Sequence, residues 1–137
     1  MAIKIIDGAK DTVKGWLGWR KEIEPPAPEA EAVFLLTYGD LIIGRLSAKQ
    51  GLWQFEYSDE FRLQDDLRPI LEMPDVQKVY QSPNLWQFFA MRIPSLGQPD
   101  VEEILEREHI SETDSIRLLD RFGKRTIANP FELKLAA

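Results

Sequence analysis

The stretch VFLLTYGDLIIGRLSAKQGLWQFEY, residues 33–57, decides the fold. Phe34, Leu36 and Tyr38 alternate with Leu35 and Thr37 until Gly39-Asp40 interrupts the run, a pair that accepts positive φ cheaply and suits a tight hairpin turn. Leu41 to Leu46 follows, β-branched at Ile42 and Ile43, with Gly44 where a bulge or a close backbone approach is expected. Ser47 to Gly51 reads as a second turn. Leu52 to Tyr57 then sets Trp53, Phe55 and Tyr57 on one face and Gln54 and Glu56 on the other. The stretch predicts a three-stranded up-down-up meander. Its aromatic face, with roughly 150–250 Å² of surface per ring, requires a cover.

The rest of the chain supplies one. Ser58-Asp59-Glu60 opens a short helical turn through Phe61 and Leu63. Arg68 to Pro74 is expected as a fourth short strand, confined to an edge by its prolines. Asp75 to Gln81 fits neither period. Ser82-Pro83 reads as a helix start, and the helix it opens carries Leu85, Trp86, Phe88, Phe89 and Met91, apolar nearly all round, up to Pro94. Pro99 opens a second helix, with Val101, Ile104 and Leu105 inward and Glu102, Glu103, Glu106 and Glu108 facing water. Ser111 to Asp114 resembles a capping box for a third helix, which turns Ile116, Leu118, Leu119 and Phe122 inward and ends at Gly123. Phe131, Leu133 and Leu135 alternate as a closing strand. The order predicts an α+β fold: a small antiparallel sheet, the three-strand meander plus later strands, packed by about three helices.

Upstream of this domain, residues 1–24 differ in character. Lys4, Lys10, Lys14, Arg20 and Lys21 make the segment basic, and Ile3, Ile6, Val13, Trp16 and Leu17 recur at helical spacing. It reads either as an amphipathic arm for a membrane surface or a partner's groove, or as a helix folded back on its own domain. Residues 25–32, PPAPEAEA, read as a Pro-rich linker. The domain proper is taken as residues 33–137.

Composition narrows the function. The 137 residues suit one domain, and 44% hydrophobic with 29% charged residues is ordinary for a water-soluble fold. Without cysteine there are neither disulfides nor thiolate metal sites. A net charge of −6 disfavours binding to nucleic-acid phosphates. No apolar run approaches the roughly 20 residues of a membrane span, and no signal-peptide pattern precedes the domain, so a cytoplasmic protein is expected. His109, the sole histidine, follows an acidic helix and lacks the nucleophile and orienting groups of a catalytic site. The helical glutamates read as a solvated face, and the Trp53, Phe55 and Tyr57 face as core rather than a base-stacking platform. No catalytic, metal or cofactor residue is expected.

These features together resemble the N-terminal subdomain of HipA-type serine/threonine kinases over about Val33 to Leu135. Gly44-Arg45-Leu46 is similar to that family's G-x-L, Phe55-Glu56-Tyr57 to its F-x-Y, Arg68-Pro69 to its R-P, and Phe88-Phe89 to its F-F. The sequence departs from the family pattern at ILEMP after Arg68-Pro69, and at AMRIPSLG after the phenylalanines, which keeps only Pro94. A kinase's Gly-rich loop, catalytic loop and metal-binding Asp motif are not found. The resemblance implies a non-enzymatic, antitoxin-like module of the HipS type that binds a separate HipA-type kinase core. Trp86, Phe88, Phe89, Arg92, Pro94 and Leu96 are the candidate partner-binding residues. Family antitoxins intrude with an aromatic after F-F; here Ser95 to Gly97 hold none, though Trp86 lies close in sequence. The alternative is a stand-alone interaction or membrane-peripheral adaptor working through residues 1–24.

Overall fold

The computed structural model describes residues 23–137. The amphipathic arm, apart from its last two residues, lies outside them.

The alternating stretch forms β1 (Ala32–Tyr38), β2 (Leu41–Lys49) and β3 (Leu52–Tyr57), each antiparallel to the next. The first turn falls at Gly39-Asp40, where Gly39 has φ 58°. The second is tighter than the Ser47–Gly51 expectation. β2 runs on to Lys49, and only Gln50 and Gly51, both with positive φ, reverse the chain. Between Leu36↔Gly44 and Thr37↔Ile42 the register slips, so Ile43 is the extra residue of a bulge. Gly44 also lies under its neighbour: a Cβ there would sit 2.6 Å from both the Glu56 carbonyl and the Phe55 ring.

Two short strands complete a five-stranded sheet in the order β4-β3-β2-β1-β5. β5 (Glu132–Leu135) pairs with β1, as its alternation predicts. β4 is Tyr80–Ser82, paired with β3. The strand expected over Arg68–Pro74 is absent. Pro69 and Pro74 have no amide hydrogen to give a ladder, and Ile70 to Met73 instead close a turn through the Met73 N–H and the Ile70 carbonyl at 2.9 Å.

Cross-strand pairing puts Phe34, Leu46 and Phe55 on one face, joined there by Leu36, Trp53, Tyr57 and Leu133. Four helices follow the meander. The single turn α1 (Asp59–Arg62) is capped by Ser58, whose hydroxyl accepts from the Phe61 N–H at 3.0 Å and donates to the Ile42 carbonyl. α2 is Gln87–Ala90, again one turn. The helix expected from Ser82-Pro83 therefore begins later: Ser82 belongs to β4, and its hydroxyl accepts from the Asn84 N–H. α3 (Pro99–Glu108) buries Val101 and Leu105 in the core. α4 (Ser115–Phe122) buries Leu118 and Leu119 and is capped by Asp114 itself, which accepts from the Arg117 N–H at 3.1 Å; Ser111 lies one turn too early for the role expected of it. Arg121 joins these two helices through a bidentate pair with Glu108 at 2.7 and 3.1 Å, which holds the Glu108 carboxyl below its usual range. The result is an α+β domain whose aromatic sheet face is the floor of the core.

Candidate protein-binding surface

The site is built around α2. A four-residue helix cannot satisfy its own first amides, and its N-cap residue, Trp86, offers no side-chain acceptor. Glu72 fills the gap from across the chain. Its two carboxylate oxygens accept from the Gln87 N–H at 3.0 Å and the Phe88 N–H at 2.8 Å. Glu72 sits in the Ile70–Met73 turn, which is fixed in turn by Tyr57: the hydroxyl accepts from the Ile70 N–H and donates to the Met73 carbonyl.

The other end of α2 is held by Arg92, only 5% exposed. Its Nη1 donates to the carbonyls of Gly123 at 3.0 Å and Lys124 at 3.5 Å, and its Nη2 to Asn129 Oδ1 at 3.2 Å. The guanidinium lies over the Phe88 ring, 5.5 Å from its centroid. Gly123 is the C-cap of α4, so the cation also meets the negative end of that helix. Among the described residues no carboxylate pairs with Arg92, and Arg92 Nε is buried without a hydrogen-bond partner. Burial pushes the guanidinium down to about 10, so it remains charged at neutral pH.

Between these anchors a run of rings leads from the core to the surface. Phe55 meets Phe89 at 5.6 Å, Phe89 meets Phe88 at 5.1 Å, Phe88 meets Phe131 at 6.0 Å and Phe131 meets Tyr38 at 5.4 Å. Phe89 is sealed, Phe88 and Phe131 are half-buried and Tyr38 is 42% exposed. Met91, directly after α2, is exposed to a similar degree. Ile127 is fully exposed at the tip of a turn closed by the Thr126↔Asn129 bridge. The outer part of the run forms an apolar strip at the surface, and Met91 and Ile127 are further exposed apolar side chains on the segments that carry Phe88 and Phe131.

Of the six residues expected at a partner surface, three are interior: Phe89, Arg92 and Leu96. Trp86, Phe88 and Pro94 are half-buried. A helix apolar on every side is expected to be buried or half-covered by a partner; as a single turn it buries Phe89 in the core of its own domain and exposes Gln87. Tyr38 and Phe131 were not singled out by sequence. Their signal was the register: one step beyond Thr37↔Glu132, the β1–β5 ladder brings them opposite each other at the sheet's end.

The remaining candidates make no such assembly. His109 is the left-handed C-cap of α3, exposed, its carbonyl accepting from Arg117. Among the described residues no cluster of three or more His, Asp or Glu is placed to hold a metal ion, and no helix is long and apolar enough to cross a membrane. An open cleft of about 260 Å³ lies between Leu35, Ile42, Arg45, Glu56, Ser58 and Arg62. Its charges are answered internally, with Arg62 reaching Asp59 at 2.9 Å and Glu56 at 3.8 Å, and Arg45 reaching Glu56 at 3.6 Å.

The described residues thus build a five-stranded antiparallel sheet whose aromatic face is covered by four short helices, with a run of rings that leads from the core to the surface. The profile of the HipA N-terminal domain family matches residues 35–128 of the 137, and the chain belongs to that family. No curated protein matches the sequence.

Proposed function

We propose that this protein is a non-enzymatic regulatory module that docks on a HipA-type serine/threonine kinase core carried by a separate chain and restrains it, as an antitoxin restrains its toxin. Family membership supports the partner class. The observation that carries the reading is the half-open aromatic strip of Tyr38, Phe131 and Phe88. Its rings are continuous with the core and so are presented in fixed positions, which lowers the ordering cost of binding.

The test is calorimetric titration of a HipA-type kinase core, expressed without its own N-terminal domain, with this chain. The expected result is saturable binding with reduced autophosphorylation. Tyr38→Asp and Met91→Asp, both at exposed positions, should each weaken binding by tenfold or more while leaving the circular dichroism unchanged. No binding, or binding indifferent to both substitutions, overturns the proposal.

A further inference from the structure

We infer that the partner segment seated on the aromatic strip presents an apolar residue together with a carboxylate, and that the carboxylate answers the charge of Arg92. This inference deepens the reading above and rests on the strip being the docking surface.

The chain is acidic overall, at −6, yet the loop after α4 carries two adjacent cations. Lys124 and Arg125 are exposed on the loop that also supplies carbonyls to Arg92. Glu132 is the carboxylate paired in this region, and it is shared between Arg125 at 3.7 Å and Lys134 at 4.0 Å. Neither it nor any other described carboxylate pairs with Arg92. A buried charge is ordinarily matched by an opposite one, because carbonyl dipoles offset only part of its desolvation. Among the described residues the groups that meet the guanidinium are neutral: the Gly123 and Lys124 carbonyls, the Asn129 amide and the Phe88 ring. Among the described residues no carboxylate answers Arg92, and Asn129, which accepts from its Nη2, is half-buried, so an incoming side chain that reaches Asn129 can supply the counter-charge while its neighbour covers Phe88 and Phe131. An acidic group would meet a favourable potential here and a basic one a hostile one.

The probe is 4-phenylbutyrate, a ring with a carboxylate, compared with the neutral 4-phenylbutyramide by NMR titration of the full chain. The expected result is saturable shifts at the Asn129 side-chain amide and the Phe88, Phe131 and Tyr38 rings, with the amide at least fivefold weaker. Lys124→Glu should erase most of that preference. Asn129→Asp gives Arg92 an internal carboxylate while keeping an acceptor for both Arg92 and the Phe131 N–H, and should erase it too without loss of melting temperature. Equal affinity for acid and amide, or a preference untouched by Asn129→Asp, overturns the inference. A kinase core that binds the strip with no response to Lys124→Glu or Asn129→Asp overturns it while leaving the proposed function in place. Selective binding of the acid without binding of the core does the reverse.

Discussion

The Tyr57 hydroxyl donates to the Met73 carbonyl at 2.7 Å, across sixteen residues of chain, and the same oxygen accepts from the Ile70 N–H at 2.8 Å. The side chain is 1% exposed. Tyr57→Phe keeps the ring and its stacking on Phe61 but leaves a buried donor and a buried acceptor unmatched. The expected loss is about 2–3 kcal/mol, read by urea unfolding. A loss under about 0.5 kcal/mol would mean that the turn is held some other way.

The same phenol gives a signature in alkali. Burial raises Tyr57 to about 12, against an ordinary value near 10. Between these pH values the unfolded chain releases a proton that the folded one keeps. The stability this group contributes is therefore complete below pH 10 and declines as pH climbs towards 12. Arg92, depressed to about 10, acts with the opposite sign in the same window. The difference between wild type and Tyr57→Phe cancels that contribution. Wild type should lose its advantage over the variant as pH rises from 10 to 12, measured by denaturant titration, and keep it unchanged from pH 7 to 9.

Gly44 has no room for a methyl group. A Cβ 2.6 Å from the Glu56 carbonyl and the Phe55 ring requires the β2–β3 pairing to open or the ring to leave its place. Gly44→Ala should cost about 1–3 kcal/mol or more. Gly97→Ala, where nothing lies within 4 Å, should be close to neutral in the same thermal melt.

Glu72 is expected to behave as a helix cap supplied from outside the helix. Glu72→Ala should remove about 1 kcal/mol and accelerate exchange of the Gln87 and Phe88 amide hydrogens, with those of α3 unaffected. Glu72→Gln, which keeps one acceptor, should fall between the two.

The parts of the fold visible in the sequence are those whose causes are local. The alternation of Phe34, Leu36 and Tyr38 and of Trp53, Phe55 and Tyr57, the glycine at the first turn, and the apolar spacing of α3 and α4 each act within a few residues. The elements misread are those whose causes lie far along the chain. Arg68 to Pro74 has a strand's apolar content, but its backbone is claimed by Tyr57. Tyr80 to Ser82 is too short to show a period and is a strand only because β3 offers an edge. Ser82-Pro83 has the chemistry of a helix start, yet the acceptor that starts α2 is Glu72, fifteen residues upstream. The site was half legible for the same reason. Phe88 was found from its motif, whereas Tyr38 and Phe131 become neighbours only when the last strand returns to the first.

Rings in unbroken contact from Tyr38 to Phe55 place a constraint on how this face can change. Phe88 touches Phe89 on its inner side and Phe131 on its outer side, so a polar replacement there would unseat its neighbours as well as wet the exterior. The centre of the face, unlike its exposed rim at Tyr38, cannot be made hydrophilic without loosening the interior beneath it. Its half-open apolar character is thus built into what keeps the domain folded, a liability that the chain has no cheap means of shedding.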